Sequence, residues 1–189
     1  DELAALAHQD PLDFRLNHCD NPRLRDVIIA ATDKFNWKAR RKDAKPGTGI
    51  GLAAGFEKGS FVAACTEVTT DPKTGFRITA FHMAYECGAI LNPTNLRAQV
   101  EGSIIQGLGG ALMEKLDFEN GRLTNGTFTQ YKLPRFRDVP PITITLLDRK
   151  DLPSVGAGET PIVVVAPAIA SALSMLNKLP QRKLPLMRL

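Results

Sequence analysis

The sequence predicts an α+β fold, a mixed sheet with helices packed on it, and three observations carry that prediction. Two apolar, β-prone stretches, 60–70 and 76–85, flank Asp71-Pro72-Lys73-Thr74-Gly75, whose proline and glycine mark a tight turn. In residues 142–147, Ile142, Ile144 and Leu146 alternate with Thr143, Thr145 and Leu147 as in a strand. Around 95–117 and 162–177 the apolar spacing becomes that of helices. The expected arrangement places the hairpin strands and the 142–147 strand in one sheet, with the two helices against it.

Composition narrows the class. A chain of 189 residues is long enough for one sizeable core or two small ones. Hydrophobic residues at 43% and charged residues at 23% are ordinary for a globular protein. The formal charge of +4 comes largely from Lys38-Ala39-Arg40-Arg41-Lys42 and from Arg182, Lys183 and Arg188. No aromatic side chains are interleaved with these cations to stack on bases, so no nucleic-acid partner is expected. Cys19, Cys65 and Cys87 are odd in number and widely spaced, which fits neither a CxxC metal pattern nor a disulfide framework. No apolar run of about 18 residues is evident, so no membrane span is expected. The chain opens at Asp1, with no basic-then-apolar leader, so its start reads as a cut in a longer protein.

Taken in order, residues 1–19 read as two short helical pieces broken at Asp10-Pro11, Asp10 capping and Pro11 starting the second. His8 and His18 have no ligand partner at helical spacing and read as surface or structural histidines. Asn21-Pro22 opens a better helix, with Leu24, Val27, Ile28, Ala31 and Phe35 on one face, ending near Trp37. The basic, glycine-rich stretch 38–51 reads as a loop. The hairpin follows, and its incomplete alternation predicts burial on both faces. After Asn120-Gly121, a turn signal, the stretch TFTQYKLPRF reads as extended.

The helix over 95–117 carries two stripes. Val100, Ile104, Leu108, Ala111, Leu112 and Leu116 make an apolar one. The other holds Gln99, Gly102, Ser103, Gln106, Gly109 and Gly110. A glycine inside a helix costs about 0.5–1 kcal/mol relative to alanine, so these glycines need a compensating contact. Close helix packing would supply it, and so would a bulky ligand held by the glutamine side chains.

Val155-Gly156-Ala157-Gly158-Glu159-Thr160-Pro161 precedes a very apolar segment that bends or restarts at Pro167. Thr160 reads as an N-cap and Pro161 as the first helical residue. One carboxylate, Glu159, stands at that mouth. Desolvation there would raise its pKa toward the range useful for proton abstraction; the other reading is an acidic residue favoured by a helix dipole.

Together these pieces resemble one family, the molybdenum-binding large subunits of the xanthine oxidase class of molybdenum hydroxylases, in particular the isoquinoline oxidoreductase and aldehyde oxidoreductase branch. The matching blocks are DELAALAHQDPLDFRL, ECGAILNPTNLRAQVEGSIIQGLGGAL, FTQYKLPR, and VGAGET followed by APAIASAL, in the family's order. Glu86 stands where the family has aspartate, and the tail KLPQRKLPL departs mildly from its ending. The resemblance implies a molybdenum cofactor-binding domain: 1–37 a helical lead-in, 38–51 a loop, 52–189 the main cofactor-binding part, all of 1–189 being the C-terminal portion of a larger subunit. It implies a molybdopterin-type cofactor, in the cytosine dinucleotide form, contacted by Gln99, Gln106, Gly156, Ala157 and Gly158, with Glu159 as the catalytic base. Cys87 matches a family cysteine but receives no metal role, because the pterin holds the metal. The activity implied is oxidation of aldehydes or N-heterocycles with oxygen from water. The implied partners are the upstream part of the same subunit and a 2Fe–2S small subunit, in a bacterial protein of the periplasm or cytoplasm. Two rivals stay open: a module that binds pterin or dinucleotide without chemistry, and a structural interaction domain.

Overall fold

The computed structural model describes residues 1–186. Helices α1 (Glu2–Leu6), α2 (Pro11–Asn17), α3 (Pro22–Phe35) and α4 (Trp37–Lys42) come first. Strands β1 (Thr48–Glu57), β2 (Ser60–Asp71) and β3 (Gly75–Glu86) form a meander, followed by the long helix α5 (Pro93–Leu112). A two-residue ribbon, β4 (Phe118–Glu119) and β5 (Arg122–Leu123), leads to β6 (Ile142–Leu147); a 3₁₀ turn over Thr160–Val164 then feeds α6 (Val165–Asn177).

The main sheet has the order β1-β2-β3-β6. The first two pairings are antiparallel and β6 joins β3 in parallel, so the sheet is mixed, as expected from the sequence. Strand β2 shows why alternation looked incomplete. Val62, Ala64 and Val68 point into a core shared with α5 and α6, whereas Phe61, Ala63 and Cys65 point into a second core with α2, α3 and Trp37. Successive side chains leave a strand on opposite faces, and here both faces are covered.

The caps follow local chemistry. The Asp10 side chain accepts from Leu12 N, Asn21 from Leu24 N and Asn92 from Asn95 N, each with proline in the first turn. Trp37, 1% exposed, donates from its indole N–H to Asp10 Oδ1 at 2.9 Å and so ties α4 to α2.

Several sequence expectations need correction. Residues 38–51 are not a loop: they hold most of α4 and the start of β1. The glycines there serve close packing. A Cβ on Gly49 would lie 2.1 Å from Ala172 O, and one on Gly51 would lie 2.2 Å from Ala168 O. Helix α6 thus lies directly on edge strand β1 and caps its free amides, Leu52 N donating to Ser171 Oγ. Helix α5 ends at Leu112 rather than 117, because Gly109 O takes both Met113 N and Glu114 N as the chain turns away. Leu116 is consequently exposed. TFTQYKLPRF forms turns and a short 3₁₀ piece at Phe136–Asp138 instead of a strand. The place beside β3 is already taken by β6, and Pro134 has no amide for a ladder. Thr160 is inside the 3₁₀ turn rather than capping it, and Pro167 sits in the first turn of α6, where no hydrogen bond is lost. Finally, Thr160–Asn177 is apolar and long enough to cross a membrane by length and composition, contrary to expectation. Its apolar residues Val164, Val165, Ala168, Ile169, Ala172 and Leu173 are buried in the core against the sheet and α5.

The parallel β3–β6 pairing buries a histidine. His82 is 2% exposed, with Nδ1 2.7 Å from Thr143 Oγ1 and Nε2 3.3 Å from Thr145 Oγ1. Burial, aided by the Lys34 charge, lowers its pKa from 6.5 to about 4. The unfolded chain therefore binds a proton at this residue between those two values while the folded chain does not. Stability is full above pH 6.5 and falls as pH drops toward 4, by up to about 3 kcal/mol. Denaturant unfolding at stepped pH checks this: His82→Asn should flatten that portion of the profile.

Candidate functional site

The segment after β6 is laid down on the end of β3. Strand β3 closes on Glu86, whose side chain is buried at 1% exposure and forked to Arg23 at 2.6 Å from Nε and 2.9 Å from Nη2. Glu86 also accepts from Gly88 N, which fixes the turn Cys87-Gly88-Ala89. That turn then holds the downstream segment: Arg149 N donates to Gly88 O at 3.2 Å, Ala89 N to Leu152 O at 3.2 Å and Val155 N to Cys87 O at 2.9 Å. Gly88, at φ +77°, is required here, because a Cβ would meet Pro153 O at 2.0 Å. Cys87 itself is buried, and burial, with the carboxylates of Glu86 and Asp148, pushes its thiol up, so it stays protonated. A protonated, buried thiol is a poor metal ligand.

Beyond Val155 the main chain is held by hydroxyls. Tyr85 Oη donates to Gly156 O at 3.2 Å and Ser103 Oγ donates to Gly158 O at 3.0 Å. The Ser103 bond is the one that assembles the site. Ser103 lies four residues after Gln99 and three before Gln106 on α5, so the three share one stripe. Through Ser103 the glycine-glutamate loop rests against the middle of the glutamine stripe. The structure thus brings together the two sequence-predicted parts.

The glycines separate into two kinds. A Cβ on Gly107 would meet Val165 at 2.8 Å, so this glycine serves the α5–α6 contact. A Cβ on Gly102, Gly110, Gly156 or Gly158 meets nothing within 4 Å, and none of the four has a positive φ. Neither this chain's backbone nor its packing requires glycine there. Gln99, Gly102, Gln106, Gly110, Gly156 and Gly158 are all exposed, and Ala157 is half-buried against the core. An open surface made of glycine backbone and carboxamides suits a polar, multi-ring cofactor, offering amide donors and acceptors without side-chain obstruction. The donor set fits a pterin better than a bare ion: among the described residues no three His, Cys, Asp or Glu side chains converge as metal ligands.

Glu159 does not sit in the desolvated pocket that its sequence context suggested. Its side chain is 67% exposed and forms an ion pair with Lys58 at the β1–β2 turn. The carboxylate faces solvent, turned outward toward Lys58. Nor does it cap the 3₁₀ turn, since it makes no side-chain bond to the turn's amides. A cavity of about 780 Å³ lies between 113–132 and 181–186 and contains none of these residues. Lys58, Ser60, Tyr85 and Arg23 were not singled out by sequence. Lys58 and Gly59 both have positive φ, so a Lys-Gly hairpin turn between two apolar strands was the available signal.

A family model described as the molybdopterin cofactor-binding domain matches residues 2–140. The chain is 32% identical over 188 residues to the beta subunit of isoquinoline 1-oxidoreductase from Brevundimonas diminuta, covering 98% of this chain and 24% of that protein. It is 29% identical to a nicotinate dehydrogenase subunit of Pseudomonas putida, covering 98% of this chain and 17% of that one. Among solved structures, quinoline 2-oxidoreductase from Pseudomonas putida 86 superposes with a TM-score of 0.58 at 27% identity, over 63% of this chain and 16% of that chain. Aldehyde oxidoreductase from Desulfovibrio gigas gives 0.57 at 26% identity, over 67% and 14%. The chain therefore spans about a quarter or less of the relatives it matches.

Proposed function

The chain belongs to the molybdopterin cofactor-binding domain family, and from that premise we propose that it forms one wall of the cofactor site of a larger molybdenum hydroxylase subunit. All of 1–189 acts as that subunit's C-terminal cofactor-binding unit, with an upstream portion of the same subunit as the facing wall. The observation that carries this reading is the Ser103–Gly158 bond, which sets glycines with open Cβ positions against the α5 stripe that carries Gln99 and Gln106. Gln99 and Gln106 would hydrogen-bond the pterin, and the Gly156-Ala157-Gly158 backbone would let it approach closely. The dinucleotide is cytosine, by the same family likeness. When bound, the cofactor would supply the redox chemistry for oxidising an aldehyde or N-heterocyclic carbon with oxygen from water.

Glu159 would act as general base: its carboxylate would leave Lys58, take up a proton from the water-derived hydroxyl at the site and later return it to solvent. Closure by the facing wall would exclude water and leave the carboxylate better matched to that task. Electrons leave through a 2Fe–2S partner subunit, and the protein works in a bacterial periplasm or cytoplasm. A binding module without chemistry is the second reading, favoured by the solvent-exposed Lys58–Glu159 pair.

The test is oxidation of an aldehyde and an N-heterocycle by the complete subunit in isotopically labelled water, with molybdenum and pterin assayed on the same sample. The expected result is bound cofactor and label in the hydroxylated product. Bound cofactor with no product from either substrate class supports the binding module, and an absence of cofactor refutes both.

A further inference from the structure

We propose that a buried hydroxyl relay, Ser60–Thr160 with Tyr85, positions Glu159; the inference rests on the reading of Glu159 as the base. Ser60 and Tyr85 are 0% exposed and Thr160 is 1% exposed. Three hydroxyls in an otherwise apolar corner are costly unless each finds partners, and every one of them does.

Ser60 Oγ lies 2.7 Å from Thr160 Oγ1, 3.0 Å from Glu57 O and 3.2 Å from Gly156 O. A serine hydroxyl has one proton to give, and the shortest contact takes it. Thr160 Oγ1 donates its own hydrogen bond to Glu57 O at 3.1 Å, and Tyr85 Oη donates to Gly156 O at 3.2 Å. The relay therefore grips the active loop on both sides of Glu159: at Gly156, three residues before it, and at Thr160, the residue after it. The Gly156 grip ends on Tyr85 of β3, and the Thr160 grip ends on the β1–β2 turn. That turn carries Lys58, the ion-pair partner of Glu159, and is itself pinned by Arg23 Nη2 donating to Gly59 O at 3.0 Å.

The consequence is directional. With its neighbouring backbone anchored on strands β2 and β3, an otherwise exposed side chain is held near one place. The loop needs no cap of its own, in keeping with the lack of a side-chain cap at Glu159. The relay residues touch neither substrate nor cofactor surface; they act through Glu159 and are positioning residues.

The test uses the complete, cofactor-loaded enzyme and compares Thr160→Val, which keeps the shape, with Thr160→Ser, which keeps the hydroxyl. Tyr85→Phe removes a single hydroxyl from the core and serves where Thr160→Val folds poorly. Per molybdenum-loaded enzyme, Thr160→Val should lower kcat about 10-fold or more, with KM little changed, and Thr160→Ser should stay within about 3-fold of wild type. In a Glu159→Gln background, Thr160→Val should add almost nothing, because the residue it acts through is gone. Independently of turnover, hydrogen exchange in peptides covering 155–160 should speed up about 10-fold or more in Thr160→Val and in Tyr85→Phe, without change in α3 or β2.

Wild-type kcat in Thr160→Val and Tyr85→Phe would overturn the positioning role. So would a Thr160→Val loss that persists in full in the Glu159→Gln background. If Glu159→Gln itself kept wild-type turnover, the base assignment would fail and the relay's role with it, whereas failure of the Thr160 arm alone leaves the base assignment standing.

Discussion

Glu159→Gln in the complete enzyme should lower turnover by about 10²-fold or more, while molybdenum content and substrate binding should stay near wild type. Glutamine keeps the shape and the hydrogen-bonding reach of glutamate but cannot take a proton. The alternative role, a carboxylate placed to favour a helix N-terminus, predicts a loss of about 0.3–1 kcal/mol of stability with catalysis intact. The structure weakens that alternative, since Glu159 makes no bond to the amides of the turn it precedes and pairs outward with Lys58. Steady-state kinetics with molybdenum quantified on the same sample separates the two. Retention of more than about a tenth of wild-type turnover at full metal loading removes the general-base assignment.

Gly51→Val should abolish folding or cost more than about 4 kcal/mol, the range reserved for severe core damage. The new Cβ would stand 2.2 Å from Ala168 O and 2.4 Å from Ala172 N. Both are backbone atoms of α6, so no rotamer change relieves the clash; the helix must lift off β1 and break its side-chain caps on the edge amides. Gly55→Ala is the control. Its Cβ would come no closer than 3.3 Å, to the Val163 side chain, which can give way. Chemical denaturation of both variants measures the contrast, and a soluble Gly51→Val protein of wild-type stability would mean that α6 does not lie on β1 as described.

These two glycine contexts also explain what was legible in the sequence. Local signals were reliable where the cause is local: the Asp71–Gly75 turn set the hairpin, the Ile142–Leu147 alternation set β6, and Asp10-Pro11 and Asn21-Pro22 set two helix starts. Gly49 and Gly51 looked like loop residues because their reason lies on α6, more than a hundred positions away. TFTQYKLPRF has strand-like composition, yet β6 already occupies the place beside β3. At the site, the likeness of VGAGET and QVEG to family motifs pointed to Glu159, Gln99 and Gln106. Their juxtaposition through Ser103 is a tertiary fact that no spacing encodes. The exposed state of Glu159 was illegible for the opposite reason: glycines and an apolar helix around a carboxylate imply an enclosed pocket, whereas the carboxylate turns outward to Lys58 on the β1–β2 turn.

The central claim is that the open glycines exist for a cofactor and not for the fold, and Gly158→Leu in the complete subunit tests it most directly. A Cβ at Gly158 meets nothing within 4 Å in this chain, so the thermal unfolding midpoint of the cofactor-free protein should stay close to wild type. A leucine side chain would fill the space assigned to the pterin, so bound molybdenum per chain should fall about 10-fold or more, as expected for a steric block of binding energy above about 1.4 kcal/mol. Wild-type molybdenum content in a stably folded Gly158→Leu subunit would contradict the account and return the loop to a structural role.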